Sequence, residues 1–184
     1  MELLPADLLL ELTARHLEPH RRYHDLRHVA DLLIRGRGLG LSREQVMAIW
    51  FHDAVYDVPP DRNEERSAEL CLRRLTTAGY DLTVCERVAQ MVLDTAGHVP
   101  TIDESDLVID LDLAPLADPW ASFAANAELL REECHMVSDA DWERGRREFL
   151  AGMLDRDRIF VTEWGAGLEA AARANLERAL AGTP

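Results

Sequence analysis

From Leu8 to Leu180 apolar residues return every three or four positions, and a proline, a glycine or a cap-forming residue bounds each run. That period belongs to an amphipathic α-helix, and only the stretch 107–113 also admits a strand. Leu8, Leu9 and Leu12 come after Pro5, a first-helix position, in a packing helix that ends at His16. A second helix, Tyr23 to Arg35, has Val29, Leu32 and Leu33 as its stripe and closes on Gly36, Gly38 and Gly40; His24 and His28, four apart, share one of its faces. Ser42, with Gln45 three residues on, predicts a capping box. The third helix it opens buries Val46, Ile49, Trp50 and Ala54, carries His52 and Asp53, and stops before Pro59-Pro60.

Asp61 with Glu64 predicts another capping box and a fourth helix containing Ala68, Leu70, Cys71 and Leu75, ending near Gly79. A fifth takes Val84, Val88, Met91 and Val92 and ends by Gly97. In Leu107-Val108-Ile109-Asp110-Leu111-Asp112-Leu113 a strand would set Asp110 and Asp112 side by side, whereas a helix turns them about 200° apart so that only one serves a site. The helix is preferred, since nothing else in the chain would make a sheet. Pro119, Ser138 with Asp141, and Thr162 punctuate the remainder of the chain, and the last helix steps by four through Trp164, Leu168, Ala172, Leu176 and Leu180. The expected fold is therefore all-α, and 184 residues without repeat or linker suggest a single domain over 1–184. A composition 47% hydrophobic but only 6% aromatic weights helix over sheet in the same direction.

A formal charge of −14 argues against a surface that gathers nucleic-acid phosphates or anionic lipid. A small anionic substrate is still admitted, because a metal ion and a few arginines set a local field against the global one. Cys71, Cys85 and Cys134 have no C-x-x-C spacing and read as reduced thiols of a cytoplasmic protein. Leu8-Leu9-Leu10, hemmed by Asp7 and Glu11, is too short for a signal or a membrane span.

The chemistry concentrates in Phe51-His52-Asp53-Ala54-Val55-Tyr56-Asp57. An imidazole beside a carboxylate inside an apolar run stands where packing alone would select Leu or Ala. One step apart on a helix, His52 and Asp53 differ by about 100° in direction, so both reach one ion only at the edge of the buried side. Asp57, four residues after Asp53, falls on the same face, within reach of a bound water. With His28 and an aspartate of Asp110-Leu111-Asp112, the set is two imidazoles and two carboxylates, suited to a borderline or hard divalent ion with water positions left open.

The order His, His-Asp, Asp resembles the HD-domain superfamily of metal-dependent phosphohydrolases. Tyr23-His24-x-x-x-His28, Phe51-His52-Asp53-x-Val55-Tyr56-Asp57, Asn63-Glu64-Glu65-x-Ser67-Ala68, Thr95-x-x-His98 and Asp110-x-Asp112-Leu113 resemble, in that order, one small bacterial family within it. The likeness continues through Phe149-Leu150 and Arg158-Ile159-Phe160 and so covers nearly the whole chain. It implies an HD-domain helical bundle with His28, His52, Asp53 and Asp112 as ligands of one divalent ion: Mn²⁺, Mg²⁺, Fe²⁺, Co²⁺, Ni²⁺ or Zn²⁺. Asp112 is preferred to Asp110 because it precedes Leu113, as the family's last aspartate precedes a packing residue. Asp57 matches the acidic position that orients or deprotonates the attacking water, and Glu65 is the second candidate for proton transfer. His24, Arg27, Arg66 and His98 are the candidates for holding substrate. Two departures, Ala114-Pro115-Leu116 and Arg131-Glu132-Glu133-Cys134, touch the substrate-side wall.

The implied activity is hydrolysis of a small phosphate ester or anhydride, a nucleotide among them, by a metal-activated water. Each residue also has a plainer role: His24 as a partner of a backbone carbonyl, His98 as an imidazolium at a helix end, Glu64 and Glu65 as the solvated first turn of a helix. The alternative within the superfamily is a non-hydrolytic protein, either a nucleotide-sensing module or, if His98 helps build a second metal site, a di-iron oxygenase. His24-Asp25-Leu26-Arg27-His28 fits the zincin H-E-x-x-H poorly, since its Asp is too short for the general base and no third ligand comes after it. A haloacid-dehalogenase-like nucleophile strand at 107–112 would need an α/β pattern around it. The C-terminal Ala/Leu helix would be a partner surface, as in a homodimer, only if its stripe is exposed.

Overall fold

The computed structural model describes residues 4–58 and 62–182, and every regular element among them is helical. By packing, the chain divides between Ile109 and Asp110 into two compact units, with one helix, α6 (Ser105–Leu113), running across the division. The helical reading of 107–113 is thus the one observed.

The first unit holds α1 (Ala6–His16), α2 (Leu26–Arg35), α3 (Arg43–Phe51), α4 (Asn63–Thr77), α5 (Leu82–Asp94) and the start of α6. α3 packs against α2, α4 and α5, and α4 packs along α5. Surrounded in this way, α3 buries Met47, Ala48, Ile49 and Phe51 rather than one stripe, while Val46 and Trp50 are only half-buried. Ser42 and Gln45 form the expected capping box. On α1, Leu8 and Leu12 are buried but Leu9 faces solvent, and Pro5 is the N-cap rather than a residue of the first turn.

α2 begins later than the periodicity predicts. The Asp25 carboxylate accepts from the Arg27 N–H and caps the helix there, so His24 lies outside it and shares no helical face with His28. The Asp61–Glu64 box falls on a residue outside the described ones; α4 starts after Arg62, whose φ is 53°. In α4 and α5 Ala68, Leu70, Cys71, Leu75, Val88, Met91 and Val92 are buried as expected, while Val84, the first of the α5 stripe, is only half-buried.

The second unit contains the rest of α6, a 3₁₀ turn (Ala114–Ala117), α7 (Trp120–Glu133), α8 (Asp139–Leu154), α9 (Glu163–Ala166) and α10 (Glu169–Leu180). α10 packs against the 3₁₀ turn and α8, and α7 against the same turn. The last helix is not continuous from Trp164 to Leu180. It is interrupted at 167–168, and within α9 Gly165 sits against Asp110 and Phe160, so closely that a Cβ there would lie 2.6 Å from Phe160 Cβ and would clash with the Asp110 carboxylate. That carboxylate is wholly buried and accepts from the Val161 N–H, the Thr162 N–H and the Thr162 hydroxyl at 2.5–2.9 Å. Glu169 accepts from the Ile159 and Phe160 N–H groups beside it. Two carboxylates therefore hold the 159–162 segment, whose backbone donors no helix or strand satisfies. None of the described helices is long and apolar enough to cross a membrane.

Candidate metal centre

The last turn of any α-helix leaves carbonyls without intrahelical partners. In α3, which ends at Phe51, other groups take up these carbonyls one by one. His52 Nδ1–H donates to the Ile49 carbonyl (2.9 Å), His16 Nε2–H of α1 to that of Trp50 (3.0 Å), and the Ala54 N–H to that of Phe51 (3.0 Å). The helix therefore stops at the His-Asp pair. His52 is its C-cap and Asp53 lies beyond it, correcting the expectation that both are helical and that Asp57 shares a face with Asp53. The chain runs on through 52–58 without regular structure, held from outside. The Ser67 hydroxyl pairs with both the N–H and the carbonyl of Val55, and the Asn63 amide does the same for Asp57.

This geometry brings three donor atoms together. His28 Nε2, from the first turns of α2, lies 3.1 Å from His52 Nε2; Asp53 Oδ2 lies 2.9 Å from His52 Nε2 and 3.8 Å from His28 Nε2. All three residues are buried. Because the His52 Nδ1–H is committed to Ile49, the neutral ring presents its lone pair at Nε2, toward the other two donors. A metal with bonds of about 2.1 Å at angles of 90–109° sets its ligand atoms about 3.0–3.4 Å apart. Of the three separations, 3.1 Å falls in that range, 2.9 Å lies just below it and 3.8 Å corresponds to a wider angle.

Asp53 Oδ2 is the informative atom. It is buried and left without a hydrogen-bond partner, with His52 Nε2 2.9 Å away. A buried carboxylate oxygen without a donor is costly, and a cation shared with the imidazoles removes the cost. Burial pushes the Asp53 carboxyl up, but the positive charge that His52, His24 and His28 carry when protonated overcomes that and holds it well below the usual carboxylate range. With the ring protons displaced by an ion, the same anion flanked by imidazole nitrogens is a donor set for a divalent metal.

Around the three stands an aromatic wall. The His24 ring stacks on Tyr56 (4.4 Å between centroids, 26°) and meets His28 edge-on at 5.8 Å, while Tyr23 lies 5.2 Å from His28. Although off the helix, His24 is therefore beside the centre. The other candidates are not among the three clustered donors. Asp57 is exposed and ion-paired with Arg66 of α4, and Glu65 faces Arg62 at 3.8 Å. Arg27 is exposed, tied to the Asp25 carboxylate and the Arg22 carbonyl. His98 comes after α5 with a φ of 48°. Asp112 is half-buried on the part of α6 that belongs to the second unit; Asp110 belongs there too, with its carboxylate committed to the 161–162 backbone.

Sequence reasoning passes over two residues that shape the centre. His16 reads as an ordinary basic residue of a last helical turn, yet it is wholly buried against Trp50. Arg21 falls in an irregular stretch before α2 and is buried as well, with its guanidinium on the backbone of the His-Asp segment. Nothing in their spacing marks them; the only signal is a run of polar side chains just ahead of the Tyr23-His24 motif. Neither a protein-family profile, nor a curated protein, nor a solved structure matches the chain.

Proposed function

We propose that His28, His52 and Asp53 hold one divalent metal ion, and that the chain is an HD-type metal-dependent phosphohydrolase acting on a small phosphate ester or anhydride such as a nucleotide. One observation carries the metal: a buried carboxylate oxygen with no hydrogen-bond donor, within 4.8 Å of two imidazole nitrogens. The reaction type rests on the order and spacing of the motifs. When bound, such an ion supplies Lewis acidity toward a phosphoryl oxygen and lowers the pKa of a coordinated water.

The chain's own groups divide the remaining work. His24, propped against Tyr56, offers a ring nitrogen to a phosphate oxygen, and Arg66 offers planar guanidinium donors. Asp57 serves as the base that takes the proton of the attacking water, once its pairing with Arg66 gives way to the substrate phosphate. That pairing also favours a second reading, nucleotide binding without turnover, because a carboxylate engaged by a guanidinium is a poor base.

The first test is metal content per chain by elemental mass spectrometry on untagged protein, for the parent and His52→Ala, with circular dichroism as the folding control. About one ion per parent chain, lost in a folded variant, supports the centre and leads to a phosphoester screen with that ion. No metal in the parent, even after incubation with Mn²⁺, overturns it. Metal with tight nucleotide binding and no hydrolysis selects the second reading.

A further inference from the structure

We propose that Arg21 is the positioning residue of this centre, a buried guanidinium that locks the segment bearing His24 to the segment bearing Asp53. The inference rests on the metal reading of the same site but names a residue that takes no part in binding the ion. All three guanidinium nitrogens are engaged by protein oxygens, through four hydrogen bonds and an ion pair. Nη1 donates to the carbonyls of His24 (2.9 Å) and Asp53 (2.7 Å), and Nη2 to that of Ala54 (3.4 Å). Nε and Nη2 each lie 3.1 Å from the Glu18 carboxylate. The guanidinium carbon lies 5.5 Å from the centroid of the Tyr56 ring, the same ring on which His24 stacks.

This pattern has two consequences. A wholly buried guanidinium whose three nitrogens are all engaged by protein oxygens is not presented to a phosphate, so Arg21 acts through the backbone and not on substrate. And since the Asp53 and Ala54 carbonyls lie past the end of α3, they have no helix to satisfy them; a buried, doubly donating cation does so and fixes the direction in which the Asp53 side chain leaves the chain. The same Nη1 holds the His24 carbonyl, one residue before the Asp25 cap that starts α2 and so sets the register of His28. Arg21 thereby ties the start of one ligand helix to the end of the other. A lysine has the charge but only three donors on one atom and cannot reproduce the fork.

The test compares the parent with Arg21→Lys, and with Glu18→Gln as a milder variant that leaves the guanidinium in place. Two readouts are taken: Mn²⁺ affinity by calorimetry, and hydrogen exchange of the chelated proteins in peptides spanning 22–29 and 52–57. The expected result for folded Arg21→Lys is a loss of about 10-fold or more in Mn²⁺ affinity, as for other groups that orient metal ligands through a partner, with faster exchange in both peptides and unchanged exchange in α5. Glu18→Gln should give a smaller change of the same kind, and it decides the matter should Arg21→Lys fail to fold. Parent-like affinity and exchange overturn the proposal, as does loosening of only one of the two peptides, which would make Arg21 a local cap. If the parent itself binds no Mn²⁺, the metal reading falls while the exchange data still decide whether Arg21 couples the two segments.

Discussion

His16 offers a sharp test of how the first unit is built. Burial drives its pKa from 6.5 down to about 4, more than offsetting the bond to the Trp50 carbonyl, which favours the protonated ring. The folded state thus binds this proton more weakly than the unfolded state, and stability is lost as pH falls from about 6.5 toward 4. With these two values the group contributes a loss of about 2 kcal/mol on going from pH 7.5 to pH 5, rising to about 3 kcal/mol below pH 4. The perturbation is His16→Gln: its amide nitrogen can reach the Trp50 carbonyl as Nε2 does, it suits a helix, and it does not titrate. Urea denaturation followed by circular dichroism, in chelator at pH 7.5 and pH 5.0, gives the acid-induced loss for each protein, and the other titrating groups cancel in the difference. The variant should lose about 2 kcal/mol less than the parent. Equal losses would refute the reasoning, as would a long-range ¹H–¹⁵N spectrum placing the His16 pKa near 6.5 or its proton on Nδ1.

Three further outcomes are expected. Mn²⁺ at a hundred times its dissociation constant should stabilise the parent by about 2.7 kcal/mol and His52→Ala by almost nothing, read as the shift in the unfolding midpoint; equal shifts would mean the ion binds elsewhere. Gly165→Ala should cost about 1–3 kcal/mol, because its methyl group meets the Asp110 carboxylate and Phe160, and a parent-like melting curve would show that 159–165 adjusts freely. Cys71 and Cys85 are buried and burial pushes the Cys71 thiol up, so an alkylating reagent at pH 7.5 should mark half-buried Cys134 first and the other two only in urea, as peptide mass spectrometry would show.

Features that depend on neighbours in sequence are legible in the chain. The Ser42–Gln45 box has a fixed offset, and the stripes of α4 and α5 keep the helical period, so both are visible there. The helical form of 107–113 is implied by there being no second strand for it to pair with. The proximity of His28, His52 and Asp53 is legible only as motif order. Other features are decided by groups far along the chain. Past the end of α3, carbonyls of 50–54 are taken up by His16 and Arg21, some thirty residues earlier, which no local pattern announces. The close approach of Asp110 to Gly165 joins positions far apart in the chain, and no local pattern encodes it. Likewise the exposure of Asp57 and its pairing with Arg66 depend on where an irregular loop meets α4.

The cluster of donor atoms sits on backbone that owes its shape to borrowed side chains, two of which, His16 and Arg21, come from the N-terminal arm of the first unit. Linkage then runs both ways. An ion held by the loop would also hold the arm in its dock, and any excursion of the arm would open the loop, so the residence time of the ion would be capped by the rate at which α1 lets go. Slow release of metal would then report on the seating of buried Leu8 and Leu12, two side chains that offer an ion no ligand atom.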